Sequence, residues 1–124
     1  MRLLLDTPMI LWWLGDSPES SEEAKHLLDS ADAVHISAVS HWEITFKQHL
    51  GLLEEPGDLA QRARDIAFPR LPVTAAHGVR AGRLPMVRAE PFDRLLVAQA
   101  QDHRLVLVTH NAWIPQYDVP VMRV

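Results

Sequence analysis

Short aliphatic runs that stop abruptly at a polar residue constrain this chain more than any other feature. Leu3-Leu4-Leu5 ends at Asp6, and Leu105 to Val108 ends at Thr109. Unbroken apolar runs of about four to eight residues suit strands covered on both faces. Arg2 to Asp6 therefore reads as one buried strand and Leu105 to Thr109 as the clearest other. Ala33 to Ser37 is a third, and Leu71-Pro72-Val73 is a short extended piece. Val119 to Val124 reads as a last strand, and Pro120 places it at a sheet edge, because proline cannot donate to a central ladder.

The segments between these runs carry helix signals. Thr7 suits an N-cap and Pro8 a first helical position, so a helix should run through Met9 to Leu14 and stop near Gly15. Pro18 to Ser30 predicts a second helix, with Glu19, Glu22 and Glu23 in its first turns, where the helix dipole favours acids. A third helix should be capped by Ser37 or Ser40, run to about Leu50 and be stopped by Gly51. Further helices are expected over Asp58 to Phe68, from a Thr74 cap to about Gly82, and from Pro91 to near His103. Strands that alternate with helices in this way imply an α/β sandwich with a mainly parallel sheet. At 124 residues the chain is expected to form a single domain, 1–124.

Composition removes several function classes. There are no cysteines, so disulfides, thiol catalysis and zinc fingers are excluded. Asp6 breaks the first apolar run after three leucines, short of the roughly 7–15 residues of a secretory core. No run reaches the roughly 20 residues of a membrane span, so the expected location is cytoplasmic with no membrane partner. The net charge is −4, which argues against binding phosphate backbones through bulk charge. The positive charge concentrates in the middle of the chain, at Arg62, Arg64, Arg70, Arg80, Arg83, Arg88 and Arg94. That stretch is either a solvated helix face or a local anion-facing stripe. The five glycines form no G-x-G, no G-x-S-x-G elbow occurs, and no H-E-x-x-H places histidines for zinc.

In an open parallel sheet, ligands bind beyond the carboxyl ends of the strands. Asp6, Ser37 and Thr109-His110-Asn111 fall there. Glu43 lies in the following helix among Trp42, Ile44 and Phe46, and Asp93 lies in the first turn of another, between Phe92 and Arg94-Leu95. Carboxylates embedded in apolar sequence are costly unless paired or bound to a metal. A hard divalent cation with oxygen ligands, Mg²⁺ above all, removes that cost. Each acid also has a structural reading: Asp6 as a helix cap, Glu43 as a partner of Lys47 four residues on, Asp93 as a complement to its helix N-terminus. Trp12 and Trp13 are adjacent on a helix and point about 100° apart, so one should face the core and the other a partner.

Taken together, the blocks Leu3 to Thr7 with Leu11 to Leu14, ISAVSHWEI at 36–44 with Lys47 and Leu50-Gly51, LPVT at 71–74, PFDRLLVAQA at 91–100 and LVLVT at 105–109 are similar to the PIN domain. They resemble in particular the VapC-like toxins of type II toxin–antitoxin pairs, over the whole chain. The resemblance implies a three-layer α/β/α fold with a central, mainly parallel sheet. It implies a Mg²⁺- or Mn²⁺-dependent endoribonuclease in which Asp6, Glu43 and Asp93 hold the metal and a metal-activated water hydrolyses RNA. Thr7, Ser37, Thr109 and Arg94 would line the pocket, Arg94 alternatively forming a salt bridge. The implied partners are a small antitoxin, seated in a groove that includes Trp12 or Trp13, and a second copy in a homodimer. The chain departs from the family pattern at Thr109-His110-Asn111, where the family often has T-x-D, at Pro8, commonly His, and at Arg88-Ala89-Glu90, commonly H-x-D. Asn111 would then be a weak or water-mediated metal ligand, and a fourth carboxylate would be missing. Two rival readings follow: a PIN-fold binding protein with a decayed site that acts through its partner, and a metal-dependent nuclease outside antitoxin control.

Overall fold

A computed structural model describes residues 1–15, 22–53 and 58–124. The first part of the second expected helix, Pro18 to Ser21, lies outside the described residues. In chain order the elements are β1 (Arg2–Leu5), α1 (Thr7–Gly15), α2 (Glu22–Ser30), β2 (Ala33–Ser37), α3 (Ala38–His49), α4 (Leu59–Asp65), β3 (Arg70–Leu71), α5 (Ala75–Arg83), α6 (Pro91–His103), β4 (Val106–Thr109), a 3-10 turn at Ile114–Gln116, and β5 (Val121–Arg123). The sheet has strand order β3-β2-β1-β4-β5. Every pairing is parallel, with Leu3 opposite Val34 on one side and opposite Val106 on the other. The expected mainly parallel sheet is thus wholly parallel, and the last strand lies at the edge but is shorter than Val119 to Val124, starting only after Pro120.

The aliphatic runs explain the layers. Successive side chains on a strand point to opposite faces. Leu3 and Leu5 enter one core with Ile10, Leu28, Ile36, Ile44, Leu59 and Val108. Leu4 enters the other with Leu96, Val97, Ala100, Leu105, Leu107 and Ile114. Helices thereby cover both faces. Each such leucine, isoleucine or valine, once fully buried, contributes about 1.5–3 kcal/mol.

Several boundaries differ from the sequence expectation. Thr7 is the first helical residue rather than the cap, because the Asp6 carboxylate accepts the Met9 N–H at 3.0 Å. Ser37 and not Ser40 caps α3, with its Oγ accepting the Val39 N–H at 3.0 Å. Gly51 ends that helix as expected, at φ +74°, a left-handed conformation that glycine adopts without a Cβ penalty. Helix α4 is shorter than Asp58 to Phe68: Asp58 caps it and Ile66 is already extended. Thr74 caps α5 in a capping box completed by His77. Among the described residues no helix is long and apolar enough to cross a membrane.

Candidate active site

Both branches of the chain leave from β1. It pairs with β2 on one side and β4 on the other, so the strand order reverses beside it. A crevice opens at the carboxyl ends of the strands at such a point. Asp6 follows β1 directly and Thr109 ends β4; the Asp6 N–H donates to the Val108 carbonyl at 3.1 Å, which fixes the two ends together. Thr109 Oγ1 donates to Asp6 Oδ2. The Asp6 carboxylate is 1% exposed, so its cap bond and its threonine bond are made in a dry environment.

Glu43 arrives from the side on α3, nearly two turns after the Ser37 cap, and is 4% exposed. Thr7 Oγ1 donates to its Oε1 at 2.6 Å and lies 3.0 Å from Ser40 Oγ. Lys47 Nζ donates to its Oε2 at 2.5 Å. Asp93 comes from the first turn of α6. Its backbone N–H donates to Glu90 Oε2 at 2.6 Å, and its Oδ2 accepts the Asn111 amide at 3.3 Å. Proline at the first position of α6 suits a site that lacks an intrahelical partner for its N–H.

The electrostatics follow from this crowding. Burial raises the Asp6 carboxyl to about 6, against the opposing pull of its bonds from Thr109 and the Met9 N–H. Burial also dominates at Asp93, and the charges of Glu90, Glu43 and Asp6 add to it, lifting this carboxyl to about 7. Lys47 works in the opposite sense on Asp93. Burial acts to lower the Lys47 ammonium, yet its bond to Glu43 and the charges of Glu43, Glu90 and Asp93 leave it above its ordinary value. Acids that resist ionisation together are short of positive charge. The donor set is oxygen-only and acidic, which fits a hard divalent cation. It is not a closed shell: among the described residues, the trio whose ligand atoms all lie within 4.8 Å of one another is His77, Asp102 and His103, elsewhere in the fold.

Other residues singled out in the sequence divide. Thr7 and Thr109 touch the acids. Ser37 does not: its hydroxyl donates to Gln99 Oε1 at 2.5 Å, and Gln99 in turn donates to the Pro72 carbonyl at 3.2 Å, a structural tie from β2 through α6. Arg94 is turned away as well. Its guanidinium donates to the carbonyls of Ala81, Leu84, Pro85 and Arg88, closing the connection between α5 and α6. It makes neither the pocket lining nor the salt bridge expected of it, and the ion pairs among the described residues do not include it. Asn111 enters as a donor. Its Oδ1 already accepts the Trp113 N–H at 2.9 Å, which leaves the amide nitrogen to face Asp93. Trp12 is part-buried against the core and stacks on His110, with centroids 4.4 Å apart and planes within 2°. Trp13 is the more exposed of the pair and leans on Phe68 at 5.8 Å.

Glu90 is what the sequence reading missed. In the sequence it stands only as a departure from the family's H-x-D pattern, yet it caps α6 and raises Asp93. The signal was present: an acid immediately before Pro91 and three residues before Asp93 has cap spacing.

Comparisons with known proteins agree with this fold. No curated protein sequence matches the chain. Among solved structures it is similar to VapBC2 from Rickettsia felis bound to a DNA fragment from its promoter, at 17% identity, TM-score 0.76, covering 100% of this chain and 99% of that one. It is similar to FitAcB from Neisseria gonorrhoeae, at 20% identity, TM-score 0.67, covering 97% and 96%. A toxin–antitoxin complex from Klebsiella pneumoniae matches at 25% identity, TM-score 0.61, covering 97% and 95%. Residues 3–119 match the PIN domain family, nearly the full length. The chain therefore belongs to the PIN-domain family.

Proposed function

We propose that this protein is the toxin of a type II toxin–antitoxin pair and cuts RNA as a Mg²⁺- or Mn²⁺-dependent endoribonuclease. The observation that carries the reading is the convergence of Asp6, Glu43 and Asp93 on the switch point, with two of the three carboxyls raised by burial and mutual charge. Asp6, Glu43 and Asp93 would hold the metal, which when bound supplies a more acidic water and a positive charge beside the phosphate. The residues of the chain do the rest. Asp6 or Asp93 orients the attacking water, Thr7 fixes the rotamer of Glu43, and Thr109 fixes that of Asp6. Asn111 holds Asp93 by its amide nitrogen, and its Oδ1, which already accepts from Trp113, would serve the metal only weakly or through water. Such partners orient the ligands of a metal site.

The antitoxin reading is supported by relatives of the same fold that were solved as toxin–antitoxin complexes, from Klebsiella pneumoniae among others. Its tail would lie beside Trp12 or Trp13, where the Trp12–His110 stack borders Asp6. The whole of 1–124 would act as one nuclease domain, in the cytoplasm, as a homodimer. Exposed Val79 and Met86 near α5 support a covered surface there. A second reading, a decayed site that acts through its partner, is favoured by Asn111, which offers a donor where a carboxylate would add charge.

Incubation of the partner-free protein with total RNA separates them. Discrete fragments that require Mg²⁺ or Mn²⁺, disappear in EDTA and disappear in Asp93→Asn are expected of the nuclease. Intact RNA with both metals, from folded protein, sends the assignment to the binding protein.

A further inference from the structure

Lys47 stands where a metal-binding pocket would not be expected to keep an ammonium group. Its Nζ donates to Glu43 Oε2 at 2.5 Å while Thr7 holds the other oxygen, so both oxygens of a nearly buried carboxylate already have donors. Glu90 and Asp93 face the same ammonium, which also lies 5.8 Å from the centre of the Phe92 ring. Arg94, beside Asp93 in sequence, is held by four carbonyls and lends the pocket no close charge. The Lys47 side chain is 35% exposed, on the solvent edge of α3, so its stem can rotate outward without opening the core.

We propose that Lys47 is a tethered counter-cation of the acidic pocket and competes with the divalent cation for Glu43. This rests on the reading of Asp6, Glu43 and Asp93 as the metal-holding set. In the metal-free protein the ammonium offsets part of the repulsion among four acids, Asp6, Glu43, Glu90 and Asp93. A divalent ion and an ammonium on one carboxylate repel each other, so the ion takes Glu43 only as Lys47 leaves it. Lys47 thus steadies the empty pocket and weakens its grip on metal by the same amount, as linkage requires.

Calorimetric titration of the RNA-free protein with Mn²⁺ tests this, alongside melting temperatures with and without the ion. Lys47→Met should bind Mn²⁺ about two- to fivefold more tightly, the scale of one close ion pair at a partly exposed site. Its metal-free melting temperature should fall below that of the parent, and saturating Mn²⁺ should close the gap. Lys47→Arg, which keeps the charge, should stay close to the parent. Affinity that is unchanged or weaker in Lys47→Met, while Asp93→Asn abolishes binding, overturns the competition and leaves the metal reading standing. Binding that survives Asp93→Asn overturns the metal reading and the competition with it.

Discussion

The two ends of α6 gather ionisable side chains in opposite ways. At its first turn, Asp93 joins Asp6, Glu43 and Glu90, a set of like charges relieved by Lys47. At its last turn, Asp102 and His103 meet His77 of α5. There the His77 Nε2 lies 3.2 Å from Asp102 Oδ2 and 2.9 Å from His103 Nε2. The second group looks more like a metal site by distance alone, but both ring nitrogens of its buried member, His77, already have partners. The Thr74 N–H donates to His77 Nδ1 at 3.0 Å, so neutral His77 carries its proton on Nε2, facing Asp102 and His103 as a donor. A metal on that nitrogen would have to displace the proton or break the α5 capping box. Closeness of ligand atoms and uncompensated charge therefore point to different clusters, and the proposed metal site is the one short of positive charge.

The largest expected effect that sharpens this comparison is on catalysis. Asp93→Asn should lower RNA cleavage by more than about a hundredfold, since even the outer partners of metal ligands cost roughly 10–100-fold. Cleavage within a few-fold of the parent would remove Asp93 from the reaction. Next comes the pH dependence of the metal-free fold. The carboxyls of Asp93 and Asp6 bind protons more tightly folded, at about 7 and about 6, than at the unfolded value of 3.8. The folded state then holds more protons over that window, so stability is greatest below about pH 4 from these groups and is lost as pH rises through 6 and 7. Urea unfolding at pH 5 and pH 8 in EDTA should show the metal-free protein weaker at pH 8, and saturating Mn²⁺ should shrink the difference. A metal-free protein equally stable at both values would show that the acids are not strained.

At the other end, His77→Ala should cost about 1–3 kcal/mol of stability through the lost capping box and buried hydrogen bonds. It should leave Mn²⁺ affinity unchanged, and a parallel loss of affinity would show that the two ends are not independent. The smallest effect is expected from Asn111→Asp. It removes a donor from Asp93 and adds a charge, so the metal-free melting temperature should drop by a few degrees, while Mn²⁺ binding tightens by about two- to fivefold. Weaker binding would mean that the amide's grip on Asp93 matters more than the added charge.

The poles also differed in how far the sequence revealed them. The acidic end was legible because its residues end aliphatic runs or sit inside apolar helices, as Asp6, Glu43 and Asp93 do. Its finer structure was not. Arg94 adjoins Asp93 in sequence, but one helical step turns it about 100° away, into the carbonyls below α5. Thr7 gave up the cap to Asp6 because a carboxylate one residue earlier reaches the Met9 N–H. The histidine end had no local signal at all. His77 and His103 are 26 residues apart, and only the packing of α5 on α6 joins them. The sheet was the most legible part, since Leu3 to Leu5 and Val106 to Val108 alternate between two cores that the runs themselves imply.

The most direct test of the central claim, that the acids at the first turn of α6 form a pocket completed by a divalent cation, is the melting temperature at pH 8 with Mn²⁺ and with EDTA. Parent protein, Asp93→Asn and His103→Gln should be compared side by side. A rise with Mn²⁺ is expected in the parent and in His103→Gln and none in Asp93→Asn. A rise that survives Asp93→Asn but is lost in His103→Gln would place the metal at the wrong end of the helix and contradict it.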